Sequence, residues 1–180
     1  MFELFIPFFL LFLFVLILAI IWRINARKYI SSGTVASAYD AWTQDKLLER
    51  LWGEHIHLGF YPSGNKKIDF RKAKVQFVHE LVKWSDLDKL PKGSRILDVG
   101  CGIGGSSRIL AKYYGFNVTG ITISPAQVKR ARELTPSGLN CNFQVMDALD
   151  LKFEDGSFDA VWSVEAGAHM HDKAKFADEM

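Results

Sequence analysis

The stretch ILDVGCGIGGSS, residues 96–107, decides the fold. A short apolar run ends in Asp98, and Gly100, Gly102, Gly104 and Gly105 follow before a helical pattern begins. At the carboxyl end of a parallel strand, glycines let the backbone turn tightly and let a ligand lie directly against main-chain amides. A dinucleotide loop spaces its glycines as G-x-G-x-x-G. The run from Gly100 reads G-C-G-I-G-G and has no phosphate-binding lysine of the G-K-[ST] type.

Working outward, short apolar runs alternate with helical stretches: RILDV, SSRILAKYY, NVTGITI, PAQVKRARELT, NFQVM and FDAVWSV. This is the rhythm of βαβ units, a parallel sheet with helices on its faces, and the fold class is α/β. Ser124 caps the second of these helices and Pro125 takes its first position. Upstream, Ala73, Phe77, Val78, Leu81 and Val82 recur at spacings of three and four, predicting an amphipathic helix that begins at Asp69 and is broken by LPKG.

The 180 residues, 49% hydrophobic and 23% charged, suit one globular domain. Apolar residues are concentrated at the amino terminus. Leu4 to Trp22 carries no charge and as a helix spans roughly 28 Å, which predicts a transmembrane anchor over residues 1–22. A cleaved signal peptide, with VASA (35–38) as its processing site, is the rival. Positive charge follows the apolar run at Arg23, Arg27 and Lys28 instead of preceding it, so a retained anchor with the C-terminal domain on the cytoplasmic side is expected. Residues 23–40 read as a linker, its polar part YISSGTVASAYD a tether, and 41–90 as a helical cap segment. A net charge of +2, with no basic cluster interleaved with aromatics, points away from nucleic acid, and no protein partner is indicated. Cys101 and Cys141 are expected to be free thiols.

The run from Asp98 to Gly104 resembles the first motif, D-x-G-C-G-x-G, of the class I methyltransferases. That resemblance implies a Rossmann-like sheet ordered 3-2-1-4-5-7-6 and S-adenosylmethionine as cofactor. It places Asp98 at the methionine amino group, where a charge-assisted hydrogen bond explains the carboxylate, with Gly100, Cys101, Gly102 and Gly104 forming the loop. Members usually end the second strand in an acid that takes the ribose hydroxyls. Thr122 stands there instead, so ribose contacts are expected from Thr122, Ile123 and Ser124. Asp147 and Ala148 resemble the pair at the adenine.

YDAWTQDKLLERLWGEHIHLGFY (39–61), GGSSR (104–108) and VWSVEAGAHMHDKAKF (161–176) resemble the membrane-linked methyltransferases of tocopherol and plastoquinone synthesis. The resemblance implies methyl transfer to a ring carbon of a lipid-soluble prenylated benzoquinol in a cyanobacterial or plastid membrane. His169 and Glu165 are the candidate bases. His171 departs from the proline of relatives. The two H-x-H pairs, 55–57 and 169–171, could bind a metal, but no cysteine or carboxylate joins them at matching spacing, and no metal site is expected. Only the first four strands are recognisable before KFADEM, so residues 91–180 are expected to be an incomplete cofactor-binding domain. The alternatives are a sterol- or cyclopropane-type lipid methyltransferase, a non-catalytic membrane-anchored remnant, and, more distantly, a nicotinamide oxidoreductase.

Overall fold

The computed structural model describes residues 5–25, 32–62 and 67–180, with side chains over 10–21, 34–62 and 67–180. Its centre is a four-stranded parallel sheet ordered β3-β2-β1-β4. β1 (Arg95–Val99) pairs with β2 (Asn117–Thr122) on one side and β4 (Ala160–Trp162) on the other, and β2 pairs with β3 (Cys141–Val145). Helices α5 (Gly105–Tyr114) and α6 (Pro125–Leu134) make the crossovers. The register aligns Asp98 with Gly120 on β2 and with Trp162 on β4. The glycine loop therefore opens at the carboxyl edge, where α/β sheets bind ligands.

Burial explains these elements. On one face Val78 and Val82 of α4 (Phe70–Trp84) pack with Ile96, Leu110, Phe116 and Trp162, and on the other Leu97, Val99, Ile121 and Ala148 form a second cluster. α4 starts where predicted because the Asp69 carboxylate accepts from the amides of Arg71 and Lys72. Its buried face also includes a charge, Lys74, whose ammonium donates to the carbonyls of Trp52 and His55. Burial lowers the pKa of that amine. Gly120 is required by packing, since a Cβ there would lie 2.8 Å from the ring of Phe143.

Two expectations change. Residues 29–40 are not simply a tether: from Ser32 the chain is helix α2 (Ser32–Gln44), followed by α3 (Leu47–Trp52). α2 lies against α6, and its Asp40 accepts from the hydroxyl of Ser124 at 2.5 Å and the amide of Ala126 at 3.0 Å. A run of small residues, which sequence alone cannot distinguish from a flexible tether, is here the face that fits closely on a neighbouring helix. The second correction concerns the transmembrane helix. The backbone is helical over α1 (Phe5–Asn25). Among the described residues no helix is long and apolar enough to cross a membrane.

Phe116 is 1% exposed in the larger core cluster and stacks on Tyr114 with centroids 5.9 Å apart. Phe116→Ala is expected to destabilise the domain by about 3–5 kcal/mol through lost burial and the cavity left behind. Urea unfolding followed by circular dichroism reads the shift in midpoint.

Candidate active site

A cavity of about 200 Å³ lies over the carboxyl edge of β1, β2 and β4, closed from above by residues of α2 and by the extended segment after α3. Its floor is the glycine loop. Gly100 and Gly104 have φ of 77° and 80°, in the left-handed region, and the amides of Gly100 and Cys101 both donate to the carbonyl of Ile121. A Cβ on Gly100 would collide with Ala166. One on Gly102, φ 56°, would meet nothing within 4 Å, so this glycine faces the open space a ligand would fill.

Asp98 lies under that loop, 2% exposed and lining the cavity. Its carboxylate accepts from the Ser107 hydroxyl at 2.5 Å, and Ser107 sits in the first turns of α5. Burial raises the acid's pKa from 3.8 to about 6, with the Ser107 bonds opposing the rise. No cationic side chain is paired with it among the described hydrogen bonds and ion pairs. Keeping it ionised at neutral pH costs roughly 3 kcal/mol, a cost that a ligand ammonium would offset. The indole N–H of Trp162, buried beside Asp98 in the sheet, also has no acceptor among the described residues, although the residue lines the cavity.

The remaining candidates divide. Cys101, Ile123, Asp147, Ala148, Glu165 and His169 line the cavity, as does Thr122. The Thr122 hydroxyl donates to Gln127 Oε1 at 2.7 Å, which makes Gln127, also on the wall, a polar group missed in the sequence. Ser124 is corrected: it is fully buried, does not line the cavity, and spends its hydroxyl on capping α6 and on Asp40. Asp147 accepts from the amide of Leu149. Cys101 and Cys141 are free; burial holds the Cys101 thiol well above its usual pKa and takes Cys141 up to about 11, so neither is a ready nucleophile.

The roof comes from WGEHIHLG (52–59). His57 Nδ1 donates to the carbonyl of Leu58 at 2.8 Å, so its Nε2 is the acceptor for His55 Nδ1–H at 3.1 Å. Burial, aided by His57, Arg108 and Lys74, lowers the pKa of His55 to about 3, so the pair is neutral. Among the described residues no group of three His, Cys, Asp or Glu is placed to hold a metal. Besides the Lys74 bonds to Trp52 and His55, further contacts tie α3 and the roof to the rest of the domain. Arg108 donates to Glu54 at 2.5 Å, Arg130 makes a two-point contact with Glu49, and Glu165, itself at φ 56°, accepts from the amide of Leu58 at 3.0 Å. Gly105 belongs to this docking, because a Cβ there would lie 2.7 Å from the carbonyl of Glu54. Tyr39 of α2 reaches across to His169, its hydroxyl 3.0 Å from Nε2.

A parallel sheet in this order, with a glycine loop on its central strand above a buried unpaired acid, defines the Rossmann-like fold of the class I methyltransferases. Residues 96–180 match the family of methyltransferase domains, and this part of the chain is a methyltransferase domain of the S-adenosylmethionine-dependent kind. It is 61% identical over 160 residues to the 2-methyl-6-phytyl-1,4-hydroquinone methyltransferase of Synechocystis, a match covering 89% of this chain and 50% of that protein. It is 44% identical over 144 residues to the chloroplastic tocopherol O-methyltransferase of Arabidopsis thaliana, covering 74% of this chain and 41% of the relative. A solved structure from Galdieria sulphuraria, assigned as a sarcosine dimethylglycine methyltransferase, superposes with a TM-score of 0.70 at 30% identity, covering 78% of this chain and 54% of that one. The chain spans about half the length of the relatives it matches.

The residues present fit S-adenosylmethionine. The open cradle at Gly102 admits it, and the buried carboxylate of Asp98 suits its ammonium. Asp98→Asn is expected to leave the ligand-free protein at least as stable at pH 7, because a buried charge disappears. Affinity for the cofactor should fall roughly 10- to 100-fold with the lost charge-assisted bond. In the wild type, Asp98 takes up a proton as pH falls through about 6. The sign follows from the raised pKa: the apo protein gains stability from this group towards acid, while cofactor affinity weakens about tenfold for each pH unit below 6. Titration calorimetry from pH 5 to 8, beside thermal melts, checks both directions.

Proposed function

We propose that the chain is part of a C-methyltransferase acting on a prenylated benzoquinol. The observation that carries this reading is the extent of the 61% identity. Its 160 aligned residues cannot fit within 96–180, so the likeness to the hydroquinone methyltransferase includes much of the roof as well as the cofactor floor. The roof is where acceptor specificity belongs, because a glycine loop of this kind serves many acceptors. No particular observation favours a sterol or fatty-chain acceptor.

S-adenosylmethionine, when bound, supplies an electrophilic methyl carbon on a sulfonium. The protein holds it and orients the acceptor. Asp98 takes the ammonium, Asp147 and Ala148 border the adenine, and Thr122, Ile123 and Gln127 border the ribose. His55, His57 and Tyr39 close the cavity, where they would limit water and orient an electron-rich acceptor ring beside the bound cofactor. Glu165 and His169, beside β4, are the bases nearest the acceptor end.

The second part of the proposal is location. Every side chain from Leu10 to Ile21 on α1 is exposed, Phe12 at 66%, and none belongs to the domain core. Lipid is the medium that suits such a surface, and the helix would hold the catalytic domain at the membrane that stores its substrate, raising the effective substrate concentration.

Two experiments test the proposal. Purified protein in liposomes containing 2-methyl-6-phytyl-1,4-benzoquinol, supplied with methyl-labelled cofactor, is expected to put label on a ring carbon; label found only on oxygen, or none, opposes the reading. In cell fractionation the chain is expected in the membrane pellet, resistant to high salt, and Leu13→Asp/Leu16→Asp/Ile17→Asp is expected to move it to the supernatant.

A further inference from the structure

The structure fixes where the protons of the two roof histidines lie. A carbonyl oxygen only accepts, so Nδ1 of His57 is the protonated nitrogen in its 2.8 Å bond to Leu58. Burial lowers the pKa of His57, and the neutral ring has a lone pair on Nε2. The 3.1 Å bond between that Nε2 and His55 Nδ1 therefore takes its proton from His55. Neutral in turn, His55 is left with a lone pair on its own Nε2.

His55 Nε2 bonds no described residue. Among the described residues the one fully buried side-chain nitrogen or oxygen without a partner is the Trp162 indole, so Nε2 is reachable from outside, and His55 lines the cavity. The ring is held in place. A Cβ on Gly105 would lie 2.8 Å from its Cε1 and 2.9 Å from its Nδ1, the His55 carbonyl accepts from Lys74 at 2.8 Å, and the ring meets that of His57 edge to face at 5.0 Å. A second proton is opposed by burial first, then by His57, Arg108 and Lys74, which keeps the lone pair available at neutral pH. His171 also lines the cavity but is exposed, and His79 lies outside it against Tyr114.

We infer that His55 Nε2 is the hydrogen-bond acceptor for a ring hydroxyl of the methyl acceptor, and that through it the site selects the reduced hydroquinone over the oxidised quinone. The inference rests on the prenylated benzoquinol proposed above. A hydroquinone oxygen has a proton to donate, whereas a quinone oxygen has only lone pairs. Against Nε2 the first makes a bond, and the second sets two acceptors facing each other where water has been displaced. The selection suits the reaction, because a hydroquinone ring is rich enough in electrons to attack a methyl electrophile and a quinone ring is not.

The two cations that act on His55 give their protons elsewhere, Arg108 to Glu54 and the carbonyl of Ile103, Lys74 to the carbonyls of Trp52 and His55. Within the proposed site the cofactor's ammonium faces Asp98 and its ribose faces Thr122 and Gln127, which leaves the methyl acceptor as the source of an O–H at the roof. His55 is a specificity residue in contact with that hydroxyl and not the base: an imidazole that resists protonation holds the O–H without taking its proton.

The test uses the full chain saturated with S-adenosylhomocysteine, so that no methyl is transferred, and titrates it under argon with 2,3-dimethylhydroquinone or its quinone in a calorimeter. The wild type is expected to bind the hydroquinone at least about tenfold more tightly, and His55→Phe to bring the two within about twofold, with affinity for S-adenosylhomocysteine itself within about twofold of wild type. His79→Gln, outside the cavity, should keep the wild-type preference. A second readout needs no substitution and decides if His55→Phe does not fold. The 15N resonance of His55 Nε2 is expected at the position of an unprotonated imidazole nitrogen, moving when hydroquinone is added but not with quinone. Equal binding of the two forms by the wild type, a preference that survives His55→Phe, a protonated Nε2, or a His55→Phe protein that loses S-adenosylhomocysteine instead of the preference overturns the role of His55 while leaving the acceptor class standing. If neither form binds when S-adenosylhomocysteine binds normally, the benzoquinol reading falls, and the inference with it.

Discussion

The arrangement depends on one buried charge. Asp98 is 2% exposed at the floor of the cavity, and among the described residues it is held by neutral groups of Ser107, with no cationic side chain against it. A protein selected for stability alone would put an apolar residue there, as β1 does at Leu97 and Val99 on either side. The penalty makes sense for a site designed to receive a cation. The loop above it fits the same requirement, because Gly102 presents backbone without a side chain to the open space, while Gly100 lets the loop pass close against Ala166.

Everything else holds the cavity closed around that point. The roof has little core of its own; it reaches the sheet through Glu49 to Arg130, Glu54 to Arg108, Leu58 to Glu165 and Asp40 to the start of α6. Arg108 ties floor to roof, since it also donates to the carbonyl of Ile103 within the glycine loop. The Arg130 bonds hold the Glu49 carboxyl below its usual pKa. Polar docking of this kind is specific in direction but weaker than a hydrophobic seam, which suits a roof that must admit a ligand.

The two ends of the cavity differ in character. The cofactor end is built from a continuous stretch of chain around β1 and from the ends of β2 and β3, with each contact close in sequence to a strand terminus. The other end is assembled from α2 and the segment after α3, neighbours in sequence, together with the loop after β4, which lies more than a hundred residues further along the chain. Glu165 shows how closely that loop is constrained, since a non-glycine residue stays at φ 56° while its carboxylate holds the roof.

How much was legible follows this division. Strand and helix positions from β1 to β4 could be read directly, because alternation, capping at Asp69 and Ser124, and glycine spacing are local signals obeying local sterics. The strand ends carrying Asp98, the glycine loop and Asp147 were likewise readable, and the resemblance of those motifs to class I methyltransferases marked them as candidates that line the cavity or its floor. Spacing could not show that the Ser124 hydroxyl caps α6 and meets Asp40, because it cannot distinguish a hydroxyl facing a ligand from one capping a helix. Tyr39, Asp40, Gln127 and the buried Lys74 were missed because their roles depend on partners distant in the chain, and α2 resembled a tether because small residues signal flexibility or close packing equally well. The sequence by itself determined the sheet, the turn and the acid at the end of the first strand. Only the tertiary structure decided which side chains face each other across the cavity, because that depends on how α2 and the roof dock, and docking is a sum of long-range contacts that no local pattern encodes.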